Sequence, residues 1–433
     1  MSLWAFRFLL WYICIMIVQP QNRFLFLYPL RIANLSILTA ITLHVFSCLA
    51  EKRAIIRIGP ATITALILVV MAFISQYTGP MQTSTEWNTY IDMLVKNVVM
   101  MVLLEAMLTS VERTWAVLGS MLFATLWWIK GGLRLAGAGM VMGGDRMFGP
   151  AVSLVVNPNL FAYMMCVFIP VYLYFYQQAK TRNLRLAFLG LALAAVYITL
   201  KRGSRTGFLL LIALGFILLP KYGRRHKAAF AVGLAASFFF FTIAGAMNLE
   251  RFRTIPASIR SFFSGEVKEI GELTQDEQSA QERRLKNRDA WALIKKYPVF
   301  GAGINADETL MAQDYPYATG QVHCEILMAG RQMGGIGMTL YVALIAILFF
   351  CGWRTEATCQ HSWPAISDIG WMLKMQCVVF IIGGIFSPIV WHPILLIHVT
   401  VASALWGHVR KMSVPVTAQF SENVMMEPEA VSV

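Results

Sequence analysis

Charge is scarce in this chain: Asp, Glu, Lys and Arg make up 14% of its 433 residues, against about a quarter in soluble globular domains. The shortfall excludes an ordinary water-soluble fold. Paired cysteines are missing too. The seven cysteines are scattered, mostly inside apolar blocks, with no CxxC pair. That excludes a disulfide framework or a zinc site and leaves them as small buried hydrophobes. There is no HExxH, no DxD and no tight cluster of acids, so no metal is expected; no P-loop or dinucleotide fingerprint occurs, so neither ATP-driven work nor a cofactor is expected. Short alternating strands are also absent, which excludes a membrane β-barrel.

What the chain has instead is apolar: 58% hydrophobic residues and a mean hydropathy of +0.61. These residues come in uncharged blocks of roughly 17 to 22, the length a helix needs to cross the hydrocarbon core. "ATITALILVVMAFISQYT" after Pro60 is one such block and "AAFAVGLAASFFFFTIAGAM", ending at Met247, is another. They must be helices, because an unsatisfied backbone group in lipid costs several kcal/mol. The expected fold is therefore an all-α polytopic membrane protein of about twelve spans. Their cores are 3–19, 30–49, 61–78, 90–110, 114–130, 159–176, 186–200, 207–220, 228–247, 326–351, 366–386 and 389–408. No small-residue cleavage site follows the first, which reads as a retained span.

The formal charge of +13 then sorts the loops by the positive-inside rule. "EKRAIIR" (51–57), "KTRNLR" (180–185), "KYGRRHK" (221–227), "GWRTE" (352–356) and "HVRKM" (408–412) fall on alternate connections, hence on one side, read as the cytoplasm with both termini. The chain divides into nine spans (1–247), a large outer loop with amphipathic helices (248–324), three spans (325–410) and a polar tail (411–433) expected to be disordered. The outer side should be poor in arginine and lysine, yet "GGDRMFGP" (143–150), "KRGSR" (201–205) and "ERRLKNRDAWALIKK" (282–296) are not. A fixed anionic ligand is the simplest reason to keep them there.

Lys201, Arg202 and Arg205 could merely snorkel to headgroups. Arg205 could equally fork onto phosphate oxygens, with Gly203 and Ser204 letting the backbone approach. In 282–298, ended by Pro298, the residues Arg284, Arg288, Trp291 and Lys295 recur at helical spacing and share one face. That face suits a helix lying on the membrane, with Trp291 as its interfacial anchor. Of seven histidines, His226, His361 and His408 fall in cytoplasmic loops and His44 and His398 inside spans. His323 and His392 are left on the outer face, and His323, which ends the large loop, leads as a general base. Glu105 and Lys374 lie in or near spans, where ionisable groups are functional candidates by default. An ion pair or a snorkelling contact is their simplest role.

Four stretches carry a family resemblance. "RMFGPAVSLVVNPNLFA" (146–162) runs from Arg146 to a helix start containing Asn159. "KRGSRTG" (201–207) is a Ser-Arg turn. "RDAWALIKKYPVFGAG" (288–303) joins Arg, Trp and a Pro-x-Phe-Gly-x-Gly block, and "HCEILMAGRQMGGIG" (323–337) spaces His323 from Leu327, Gly334 and Gly337. In this order the chain resembles the O-antigen ligase and polymerase superfamily, the O-antigen ligases most closely. Cys324 departs from it, standing where the family has a polar residue.

The resemblance implies a glycosyltransferase C-like helical fold at the periplasmic face of a bacterial inner membrane. It implies transfer of a glycan from undecaprenyl pyrophosphate to an acceptor hydroxyl, with lipid A-core and membrane lipids as partners and no nucleic acid. His323 would take the hydroxyl proton, and Arg205, Arg288 and Arg146 would hold the pyrophosphate where other transferases use a metal. Arg202, Lys201, Arg284, Trp291 and Asn159 would stand nearby. A polymerase or a protein O-oligosaccharyltransferase shares these motifs, and the single large loop favours the ligase. A transporter of a lipid-linked glycan would show two similar halves and helices broken at mid-depth; no internal repeat is visible.

Overall fold

A computed structural model describes residues 1–81, 89–137, 155, 157–201, 203–225, 275–304, 306–317, 322–387 and 392–412. No strand occurs among them. The chain runs through α1 (Ser2–Val18), α2 (Ile32–Ala50), α3 (Pro60–Thr78), α4 (Thr89–Met107), α5 (Val111–Gly137), α6 (Pro158–Gln178), α7 (Arg182–Lys201) and α8 (Arg205–Arg225). It continues through α9 (Gln275–Lys296), the short α10 (Glu308–Asp314), α11 (Glu325–Cys359), α12 (Pro364–Gly384) and α13 (Pro393–Met412). Pro60, Pro158, Pro364 and Pro393 each open a helix. The first helical position needs no N–H and takes proline's fixed φ without strain.

Among the described residues seven helices are long and apolar enough to cross a membrane: α2, α3, α5, α6, α7, α11 and α12; α1 and part of α8 are shorter apolar helices. Every expected span core that falls on described residues coincides with a helix. The expected span 228–247, the first part of the large loop, Arg146, Arg202 and the tail beyond Met412 lie outside the described residues. One boundary is corrected: "GWRTE" is the end of the 35-residue α11 and not a loop.

Which helices are central follows from their faces. An apolar helix buried all round belongs inside a bundle. On α6 this includes Phe161, Tyr163, Met164, Met165, Val167 and Phe168, and α13 is buried from Pro393 through Leu405. By contrast, α2 buries only Ala40, His44, Ser47 and Cys48 and turns the rest outward. α12 packs on both α6 and α11, and α11 also meets α3, α9 and α13.

The basic loops gather at one end of the bundle. Here the buried carboxylate of Glu105 on α4 accepts from the Thr62 hydroxyl on α3 and from Ser403 on α13 at 2.9 Å. Lys374 pairs with Glu356 at 2.5 Å and Lys221 with Asp368 at 2.8 Å. Arg113 donates to the Met107 carbonyl and to the Ser2 hydroxyl, while Arg57 lies close to Gly407. The first helix therefore starts, and the last one ends, at this end. Glu105 and Lys374 join helices here.

Candidate functional site at the opposite end

At the other end, capping side chains stitch two motifs together. Asn157 caps α6 by accepting from the backbone N–H of Asn159 at 2.9 Å. Asn159 Oδ1 accepts from the hydroxyl of Ser204 at 2.8 Å, and Ser204 Oγ in turn accepts from the Gly207 N–H at 3.2 Å, capping α8. Ser204 is thus committed to joining α6 and α8. Arg205 is the first residue of α8, and it and Lys201 are half-buried at this turn.

The helix α9 lies against the outer part of α11. Leu285, Ala290, Leu293 and Ile294 are buried, and Ile294 sits where a side chain on Gly330 would have to go. This packing sets the rotation of α9. Arg284, Arg288, Trp291 and Lys295 do share a face, and Arg288, Trp291 and Lys295 on it are exposed. Arg288, 65% exposed, donates from Nε and Nη2 to Oδ1 of buried Asp289 at 3.0 Å. The other oxygen of Asp289 accepts from the Tyr317 backbone at 3.2 Å.

His323 sits just before α11, half-buried. Burial, and then the charges of Arg283 and Lys286, push its pKa down to about 4. A ring that disfavours protonation is neutral at pH 7 and keeps a lone pair. Arg283 and Lys286 were not singled out by sequence. Basic residues at 283, 284, 286 and 288 spread over a little more than half of the circumference of α9, so spacing alone could not say which of them meet the histidine.

What fixes His323 is a break in its helix. At Met333 (φ −128°, ψ 15°) and Gly334 (φ 67°, ψ −163°) α11 leaves helical geometry. A break frees backbone groups that must find other partners. The Pro298–Gly303 loop supplies them: Ala302 N–H donates to the Arg331 carbonyl at 2.8 Å, and Gly335 N–H donates to the Pro298 carbonyl at 2.6 Å. From α3, the Ser75 hydroxyl donates to the Gln332 carbonyl at 2.5 Å. Gly334 needs a conformation essentially closed to other residues, and a Cβ there would overlap the Val299 carbonyl. Gly301 (φ 75°) faces it from the loop, where a Cβ would come 2.5 Å from the Gln332 carbonyl. The Pro-x-Phe-Gly-x-Gly block and the glycine following His323 are therefore two halves of one joint.

The first turn of α11 is held equally closely. The buried side chain of Glu325 fills the space beside Gly384 of α12, and the ring of Tyr163 from α6 covers the adjacent Gly383. Tyr163 donates its hydroxyl to the Phe380 carbonyl at 2.9 Å. Asn159 and Tyr163 lie one turn apart on α6, so the Ser-Arg turn and the histidine segment gather at the same end. His392 lies there too, capping α13 through Nδ1, which accepts from Ile394 N–H at 3.3 Å. Among the described residues no three His, Cys, Asp or Glu side chains gather to hold a metal ion.

The fold and this end together define an integral membrane protein with a neutral histidine held in cationic surroundings. Residues 186–342 match the family model described as O-antigen ligase, which assigns this part of the chain to the O-antigen ligase and polymerase superfamily. The match takes in Arg205, Arg288, His323 and the joint around Gly334. Residues 4–180 match a family of unknown function, and Arg146 and Asn159 fall in that stretch. No curated protein matches the chain.

Proposed function

We propose that this protein is an inverting, metal-independent glycosyltransferase of the O-antigen ligase type. It moves a glycan from undecaprenyl pyrophosphate to a hydroxyl of lipid A-core. The basic end then faces the cytoplasm of a bacterial inner membrane, by the positive-inside rule, and His323 faces the periplasm. The observation that carries this reading is the neutral His323 beside Arg283 and Lys286, within the O-antigen ligase match.

In the reaction the acceptor hydroxyl gives its proton to the imidazole while its oxygen attacks the anomeric carbon. The bond from that carbon to the pyrophosphate oxygen breaks on the opposite face, so the configuration inverts. The leaving pyrophosphate gains negative charge, and Arg205 and Arg288, with Arg146, stabilise it; one such donor is commonly worth about 3–4 kcal/mol. An anionic donor bound here also offsets the charges of Arg283 and Lys286. That raises the His323 pKa from about 4 toward neutrality, where a general base is most effective.

The test is a transfer assay with purified protein, lipid-linked glycan, lipid A-core and EDTA, read on a gel. Wild type transfers glycan despite EDTA, and a folded His323→Ala variant does not. Glycan chains that lengthen without reaching lipid A would replace the ligase with a polymerase. Full activity of His323→Ala would remove the assigned base.

A further inference from the structure

His392 is 8% exposed, and its ring makes one hydrogen bond, the cap to Ile394 N–H through Nδ1. Because Nδ1 accepts, the proton of the neutral ring sits on Nε2. That Nε2–H is buried with no hydrogen-bond partner. Native structures seldom leave a buried donor unmet, since the loss costs about 1–3 kcal/mol. The same tautomer rules His392 out as a base, because neither nitrogen has a lone pair to offer.

It immediately precedes α13, at the end of the bundle where α12 finishes and α11 begins. There Gly384 abuts Glu325, two residues beyond His323, and Phe386 and Ser387 donate to the Gly383 carbonyl at 3.0 and 2.9 Å. The electrostatic setting differs from that of His323. Burial pushes the His392 pKa down to about 4, and among the described residues no charged side chain adds to that shift. A neutral donor in a site without charge suits a neutral oxygen better than a phosphate.

We propose that Nε2–H of His392 binds a carbohydrate hydroxyl, on the donor's first sugar or on the acceptor, at the end of the bundle that carries His323. This rests on the transferase reading and adds a sugar contact to it. The two functions of the ring separate by substitution. Asn places an oxygen near the position of Nδ1 and is among the best caps, so His392→Asn keeps the cap and loses the donor. His392→Gln places an N–H near Nε2 and loses the cap.

The experiment measures binding to the full-length protein in nanodiscs. The probes are undecaprenyl diphosphate, undecaprenyl diphosphate bearing one N-acetylhexosamine, and lipid A-core. The expected result is that His392→Asn melts like wild type and binds bare undecaprenyl diphosphate unchanged, while one sugar-bearing probe weakens about tenfold, the scale of one lost hydrogen bond. His392→Gln restores that probe, and its identity tells donor sugar from acceptor sugar. Unchanged binding of all three probes by His392→Asn overturns the proposal. So does equal weakening by both variants, or weakening of the bare lipid diphosphate. Loss of folding in both variants, one of which keeps the cap, assigns the ring to packing of the bundle and overturns it too. If wild type binds no lipid diphosphate at all, the transferase reading itself fails.

Discussion

The two ends of the bundle are joined by different means. At the basic end carboxylates do much of the joining, beside one close approach of Gly352 to Gly370: Glu105 takes hydroxyls from α3 and α13, Glu356 takes Lys374, and Asp368 takes Lys221 and Gln178. At the other end the joints are largely backbone on backbone, with Gly301 against Gly334 and Gly79 against Gly303, or a side chain in a glycine notch. A carboxylate answered by a cation inside the protein offers little to an outside ion. A joint made of carbonyls and N–H groups fixes a segment without spending side-chain charge on it. The end proposed to hold an anion is built largely in the second way.

Four outcomes would break or sharpen that contrast. The largest belongs to His323→Ala, which should lower transfer by about 10²- to 10⁴-fold, the usual worth of a general base, with an unchanged melting temperature. Next is Gly334→Ala. Leaving a glycine-only conformation costs about 1–3 kcal/mol, and the overlap with Val299 adds to it. Melting temperature and activity should fall together, whereas Gly190→Ala in α7, which meets nothing within 4 Å, should stabilise slightly. At the basic end, Glu105→Ala strands two hydroxyls and should cost about 1–3 kcal/mol of stability while each folded molecule keeps its rate. If that variant instead loses turnover at full stability, the two ends do not divide as described.

The smallest effect is one of pH. With His323 near 4 in the folded chain and near 6.5 when unfolded, the unfolded state binds more protons between those values. Its contribution to stability is complete above about pH 6.5 and is lost as pH falls toward 4. For the free enzyme kcat/KM should stay flat from pH 7.5 to 5.5, with its acid limb below 5. The limb of kcat should lie at higher pH, because bound pyrophosphate raises the histidine. Coincident limbs would mean that the donor does not neutralise Arg283 and Lys286.

Much of the fold was legible in the sequence because lipid imposes a simple rule: uncharged length gives the spans, while arginine and lysine give the proposed sides. The segment carrying His323 was legible through its resemblance to a family. Two things were hidden. The rotation of α9 was one, since its basic positions spread over more than one face and only the packing of Leu285, Ala290, Leu293 and Ile294 decides it. The break at Gly334 was the other. A glycine inside an apolar run costs a helix only about 1 kcal/mol, so it does not announce a break. The loop that takes up the freed groups lies some 30 residues earlier. Ser204 was read as part of a phosphate turn, while its hydroxyl serves Asn159 and the α8 cap.

The interruption of α11 also bears on how the protein tolerates its solvent. The 25 residues 335–359 extend roughly 37 Å at 1.5 Å per residue, enough to cross a bilayer of about 30 Å unaided. The nine residues 325–333 are thus not needed to cross it and are anchored sideways, to a loop and to α3. Thinning or thickening of the lipid is expected to be met by tilting of the long lower portion, and the joint at Gly334 would uncouple that tilt from the segment that carries His323. Turnover in vesicles of short- and long-chain phospholipids should therefore be nearly the same.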